Sequence, residues 1–469
     1  MIELEPKNYE HHLNFAKLLY EHNRTEECFE QFNIAIKKHP KQADIHLNYG
    51  KILFEQNMVD AAIDQFKTAI KLHPKDPQYR FYLAKVYAEK SMFEDANDEY
   101  EKLISMDPDN AEYFFNFAVT LENQNKLDDA IRRYKQAVKI EPKNADFHFN
   151  LANALYKIRK VDTAIAEYQK AIQINPSKSD YHNNLGMVFY DNNLFEKAAL
   201  EFEVAIKGNN KSALYHSNLG NALRQQNQLE GAISQFRWAI QFDPDNADYH
   251  NSIAFLLYKI SQTDEAIKHY KRAIELNPSN GDFYLSLGVV YAKQNDLDKL
   301  VEMLQIAIQK SPENPNYHFS LAMAFSQQTN LPHACQEFQH AIELDKTNPI
   351  YLFQYAMVLE ELSQFTDAIS QLQKAIQLDP NNAAYHASIA TIFLRLNQID
   401  EAIAQYEIAC KLDAANVEYA NQLKQCLQTK AQKKSRKAVA IMAALMGLFI
   451  IVIALLVANK EFLLAQLRL

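Results

Sequence analysis

Asparagine recurs at a fixed interval in this chain. Asn48, Asn116, Asn150, Asn184 and Asn218 share one phase of a 34-residue period, with Asn14 ahead of them, and Asn153 and Asn221 stand three residues beyond two of the set. A carboxamide carries two donors and an acceptor, so a row at regular spacing can hold the backbone of an extended peptide. The alternative is that these side chains decorate a solvated face. Tyr82 and Gln354 interrupt the row, and Ser252, Ser286 and Ser320 continue it. One residue earlier in the period stand Phe81, Phe115 and Phe149, then polar Asn183, Ser217 and Asn251, then Phe319 and Phe353. Rings exposed in succession anchor partners; the same rings packed on the next helix would be structural, and both readings stay open.

Two further columns carry titratable groups. Glu10, Asp44, Glu112, Asp146, Asp180, Asp248 and Asp282 form an acidic column, which at the start of a helix stabilises the helix dipole. His12, His46, His148, His182, His216, His250, His318 and His386 form another. Equivalent atoms in successive repeats lie ~10 Å apart, far beyond the ~2 Å bonds of a shared zinc, so this column is read as packing and no metal site is assigned. No GxxxxGK[ST], GxSxG, HExxH or glycine-rich dinucleotide turn occurs, so neither an enzymatic site nor a cofactor is expected.

The elements that position these columns follow from the period itself. Pro6, Pro40, Pro74, Pro108, Pro142 and Pro176 stand 34 residues apart, and Pro244, Pro278, Pro312 and Pro380 keep the phase. Counted from the third residue after each proline, position 8 is Ala or Gly in all twelve units, position 20 is Ala except at Cys28 and Leu300, and position 24 is aromatic except at Leu304 and Leu372. Two antiparallel helices approach closely only where side chains are small, an aromatic then fills the gap between hairpins, and proline ends the second helix. With only 8 glycines and 14 prolines in 469 residues, the chain reads as nearly all helical.

Segments such as LDDAIRRYKQAVKIEP and YHNNLGMVFYDNNLFEKAALEFEVAIKGN closely resemble the tetratricopeptide-repeat (TPR) family over residues 9–416. The asparagine row and the phrase from His182 to Gly186 also resemble the repeats of O-linked N-acetylglucosamine transferase, without its catalytic region. The resemblance implies an all-α solenoid, a right-handed superhelix of helix-turn-helix repeats, with positions 2, 5, 6, 9, 12 and 13 lining a concave groove. Asn48, Asn116, Asn150, Asn153, Asn184, Asn218 and Asn221 are then the peptide-binding ladder, and Phe81, Phe115, Phe149, Phe319 and Phe353 the apolar anchors. TPR receptors for chaperone tails use Lys and Arg at positions 2 and 6; acids, Asn, Ser or Gln stand there here, which disfavours that ligand.

The ends complete the organisation. Residues 1–8 read as the last turn of a partial repeat, which points to a start further upstream. Residues 417–430 read as a capping helix, which a solenoid needs to end in water, and residues 431–437 as a basic linker. Residues 438–458 run without a charge and at helical rise span ~31 Å, the thickness of a bilayer core. The basic flank KAQKKSRK places the repeats in the cytoplasm and the short tail, 459–469, on the far side. The last forty residues hold seven Lys and Arg against Glu461 alone, so the body is more acidic than the net charge of −9 and nucleic acid is not an expected partner. Four scattered cysteines suggest a reducing compartment. The expected function is a single-pass, membrane-anchored protein-interaction scaffold. The alternatives are a self-assembling structural scaffold, for which Ala443 and Gly447 offer a homo-oligomer contact, or the non-catalytic partner subunit of an enzyme such as a glycosyltransferase.

Overall fold

The computed structural model describes residues 9–466, with side chains to residue 455, so the partial repeat read at residues 1–8 lies outside the described residues. Every 34-residue unit folds as a helical hairpin, and no strand occurs among the described residues. In the fifth repeat the helices are Ala145–Lys157 and Val161–Ile174. Asn144 caps the first by accepting from the Phe147 amide, and the same slot caps other first helices through Asp76, Asn110, Ser212, Asn280, Asn314 and Asn382. Such a cap satisfies an amide the helix cannot, worth about 1 kcal/mol. Second helices end two residues before the proline slot, and the non-helical backbone of the residue between, as at Glu141 and Asp107 (ψ 76° and 88°), suits a residue preceding proline.

The turn inside each hairpin explains where glycine went. One residue per turn is left-handed: Asn23, Asn57, Ser91, Asn125, Arg159, Asn193, Asn227, Ser261, Asn295, Thr329, Ser363 and Asn397, all with φ near 60°. Asparagine tolerates this region, whereas a β-branched residue is strained there. Replacing Thr329 (φ 59°) by Gly is therefore expected to stabilise its repeat by about 1 kcal/mol, read as a rise in the urea midpoint.

The small residues meet the aromatics as the spacing predicted. A Cβ added to Gly186 would lie 2.6 Å from the Phe202 ring, and one added to Gly50 2.7 Å from Phe66. The same rings reach the next hairpin, as when Phe32 stacks on Tyr49 at 4.8 Å and Tyr100 on Phe117 at 5.5 Å. The ninth repeat compensates for its missing aromatic: Leu304 is buried in that slot, and Leu300 fills the alanine slot opposite Gly288, 3.1 Å from where a Cβ would sit.

The chain forms two compact units, Met1–Pro244 and Asp245–Leu469. In the first, a continuous core runs from Ala43 to Ala222, each repeat adding its alanines and its aromatic. In the second, a core runs from Leu300 to Ile392, and the repeats end on a 50-residue helix, Val417–Gln466. Its start packs Cys426 and Leu423 against Ala390, Ile403 and Tyr406 of the last repeat. Residues 431–437 continue the helix without a break, because Ala, Gln, Lys and Arg favour helix and neither Gly nor Pro intervenes. The apolar stretch that follows has a window of mean hydropathy 2.9, none of it buried. It is long and apolar enough to cross a membrane, and none of the described residues covers it.

Candidate functional site: the first-helix face

The columns singled out in the sequence all lie on first helices and divide by what they touch. In the N-terminal unit, Asn48, Asn116 and Asn150 donate to carbonyls of their own helix, at Asp44 (2.7 Å), Glu112 (2.8 Å) and Asp146 (2.8 Å). Asn184 and Asn218 instead reach back one repeat, to Asn153 Oδ1 (3.1 Å) and Asn183 Oδ1 (2.8 Å). Asn183 donates to Asn184 at 3.3 Å, and the Tyr168 hydroxyl to Asn153 at 2.5 Å. A connected amide chain therefore runs through repeats five to seven. Asn183 is buried, while Asn116, Asn150, Asn153, Asn184, Asn218 and Asn221 are half-buried and so keep a surface to solvent. Among the described residues the Asn221 side chain makes no hydrogen bond, and the Asn153 side chain uses only its oxygen.

The five phenylalanines are half-buried and each packs on the aromatic at position 3 of the following repeat, two of them stacked and three tilted. In the N-terminal unit the pairs are Phe81 with Tyr113 (5.4 Å between centroids), Phe115 with Phe147 (4.9 Å) and Phe149 with Tyr181 (4.8 Å). In the C-terminal unit they are Phe319 with Tyr351 (4.8 Å) and Phe353 with Tyr385 (5.2 Å). These contacts join successive repeats, and aromatic pairs of this kind contribute about 0.5–1.5 kcal/mol each.

The acidic column carries a structural role beyond the helix dipole. Tyr79, Tyr181, Tyr215 and Tyr317 donate their hydroxyls to Asp44 (3.1 Å), Asp146 (2.6 Å), Asp180 (2.5 Å) and Asp282 (2.7 Å) of the preceding repeat. Burial, and then the bond to the carboxylate, raise these four tyrosines well above the ordinary value of 10.0. Burial raises Tyr156 and Tyr270 to about 12. A group whose pKa is raised on folding contributes stability that is complete below the unfolded value and lost as pH climbs toward the folded one. Stability should accordingly fall steeply from pH 10 upward, with a late step in tyrosinate absorbance that coincides with the loss of helicity in a pH titration.

Two features were not read from the sequence. Positions 12 and 13 form a second polar seam: Lys157 pairs with Glu122 (2.7 Å), Tyr156 with Asp191, and Gln225 with Tyr190 (3.3 Å). In the C-terminal unit Arg395 pairs with Glu360 (3.1 Å) and Lys293 lies over the Tyr258 ring (4.7 Å). Complementary residues 35 positions apart were the available signal. The second feature is position 9 of the C-terminal unit, where Phe255 and Val289 are 39% and 43% exposed and Met323 and Met357 are half-buried. Phe255 and Val289 are thus more exposed than the half-buried phenylalanines at position 5.

The helical hairpins and the 34-residue register agree with family models. A model for TPR repeats matches residues 50–91, 123–158, 160–193, 220–261 and 257–295. One for YpiA-like C-terminal tetratricopeptide repeats matches 315–382, and two further tetratricopeptide-repeat models match 99–132 and 355–417. The chain belongs to the tetratricopeptide-repeat family. No curated protein matches this TPR chain. Among solved structures, the yeast Tom70 crystal structure is 18% identical, with 84% of this chain and 97% of that chain covered at a TM-score of 0.41. YrrB, titled a TPR protein with an unusual peptide-binding site, is 23% identical over 38% of this chain and 92% of its own, at a TM-score of 0.35. MamA is 22% identical, with coverages of 34% and 95% and a TM-score of 0.34.

Proposed function

We propose that this TPR protein is a membrane-held adaptor that binds an extended peptide segment along the first-helix face of its N-terminal unit. The observation that carries the reading is the half-buried amide row, one residue per repeat from Asn116 to Asn218, with unused donors at Asn153 and Asn221 beside it. Repeats stacked ~10 Å apart meet an extended chain, rising ~3.3 Å per residue, at every third residue. Amides that contact main chain at that interval hold a segment with little regard to its sequence. Within the C-terminal unit, the exposed position-9 column offers apolar contacts to a partner's side chains.

The long terminal helix would fix the repeats beside a bilayer. Lys430 and Lys433 are tied to the last repeat, at Asp400 (2.6 Å) and Asn397 (2.5 Å), which leaves Lys434, Arg436 and Lys437 for anionic headgroups. This basic cluster on the N-terminal side of the span supports a cytoplasmic location for the repeats.

Replacing Asn116, Asn150 and Asn221 together by Ala removes amides that no neighbouring repeat depends on, so the urea midpoint should stay constant or rise slightly. The full-length chain in detergent should capture a partner from lysate that the triple variant does not. Equal capture by both proteins would refute the amide row as the binding element.

A further inference from the structure

The histidine column contains one place where three metal-ligand atoms converge inside a single repeat, a case that the distance between repeats does not exclude. In the fifth, sixth and tenth repeats the histidine is held in the same way. Nε2 of His148, His182 and His318 lies 3.0, 3.2 and 3.0 Å from the carbonyl oxygens of Pro142, Pro176 and Pro312. Nδ1 faces Glu167, Glu201 and Glu337 at 2.6, 2.7 and 2.7 Å.

The repeats differ one turn further along the second helix. In the fifth repeat that slot is Lys170, whose Nζ lies 2.8 Å from Glu167, and in the third it is Lys102, 2.7 Å from Glu99. The sixth repeat has Val204 there. The tenth has His340, with Nδ1 3.8 Å from Glu337 Oε2 and its ring edge-on to His318 at 5.5 Å. Where two other repeats neutralise the carboxylate with an ammonium group, this one brings a second imidazole.

We propose that His318, Glu337 and His340 form a site for a divalent transition-metal ion of the Zn²⁺ class, with water as the fourth ligand. Their donor atoms already lie within 4.8 Å of one another, and tetrahedral zinc holds its donors about 3.3 Å apart. The His340 side chain, 56% exposed, has room to swing inward by rotation about its own bonds. The Pro312 carbonyl accepts from Nε2 of His318, so a metal ion that displaces the proton shared by Nδ1 and Glu337 meets the Nδ1 lone pair; a backbone carbonyl on the distal nitrogen commonly orients metal-binding histidine in this way. Two imidazoles and a carboxylate favour zinc, cobalt, nickel or copper over calcium or magnesium, which prefer all-oxygen shells. Bound metal would join the first helix of the tenth repeat to its second, and the open fourth position would accept a donor atom from outside.

The test uses the untagged full-length chain in detergent, titrated with zinc chloride in competition with a chromophoric chelator. One equivalent should bind with micromolar or tighter affinity. His340→Lys, which places a lysine where the third and fifth repeats have one, should weaken binding by more than the roughly 10–100-fold that loss of an outer-shell partner costs, with helicity and thermal midpoint unchanged in the absence of metal. His333→Ala, at an exposed histidine of the same helix, should change nothing. Cobalt should give tetrahedral visible bands with the wild type and none with His340→Lys. Wild-type affinity only in the millimolar range, or equal affinity of wild type and His340→Lys, would overturn the proposal.

Discussion

Phe202→Ala is expected to lower the stability of the N-terminal unit by about 3–5 kcal/mol, the cost of emptying a fully buried aromatic site. The Phe202 ring is completely inaccessible and lies so close to the Gly186 backbone that a Cβ there would stand 2.6 Å away. Collapse into the cavity is limited, because the neighbouring helices are held by their own repeats. A solenoid repeat contacts only its neighbours, so one weakened repeat divides the cooperative unit. Urea unfolding of the full chain should show an earlier transition and a broadened or biphasic profile. Leu200→Ala, at a position 62% exposed on the same helix, should change stability by no more than about 0.5 kcal/mol. Equal effects of the two substitutions would contradict the packing assigned to position 24.

Deleting residues 438–458 should move the protein almost completely from the membrane fraction to the supernatant. Twelve large apolar side chains between Val439 and Leu455 are exposed, and each costs about 1.5–3 kcal/mol when left in water instead of an apolar medium. Their sum exceeds what the remaining lysines supply at a charged surface, about 1 kcal/mol each. Carbonate extraction followed by ultracentrifugation reads the outcome. A deletion variant still in the pellet would assign membrane association to the repeats.

The fold was legible in the sequence because solenoid stacking imposes one register, and the slots at positions 8, 20 and 24 repeat with few exceptions. The candidate site was legible only in part. The asparagine row stood out by type and spacing, but Asn150 and Asn184 are identical in sequence role and differ in contacts: one bonds its own helix and the other the preceding repeat. That choice depends on Asn153, a residue of the preceding repeat, which single-column reading does not weigh. For the phenylalanines at position 5 the sequence left groove contact and packing both open, and in the structure each ring packs on position 3 of the next repeat while staying half-buried. Hydrophobicity marks such a ring for burial without saying against what. The exposed column at Phe255 and Val289 lacked a uniform residue type and gave no signal to periodicity.

The most direct test of peptide binding by the first-helix face is site-specific photocrosslinking in cells, with the photoreactive residue at Asn221 or, as a control, at Val204. Asn221 is half-buried on that face and its side chain makes no hydrogen bond among the described residues, whereas Val204 is 38% exposed on a second helix. Partner adducts from position 221 and none from position 204 are expected. Adducts from position 204 with none from 221 would place the partner on the opposite surface and contradict the account.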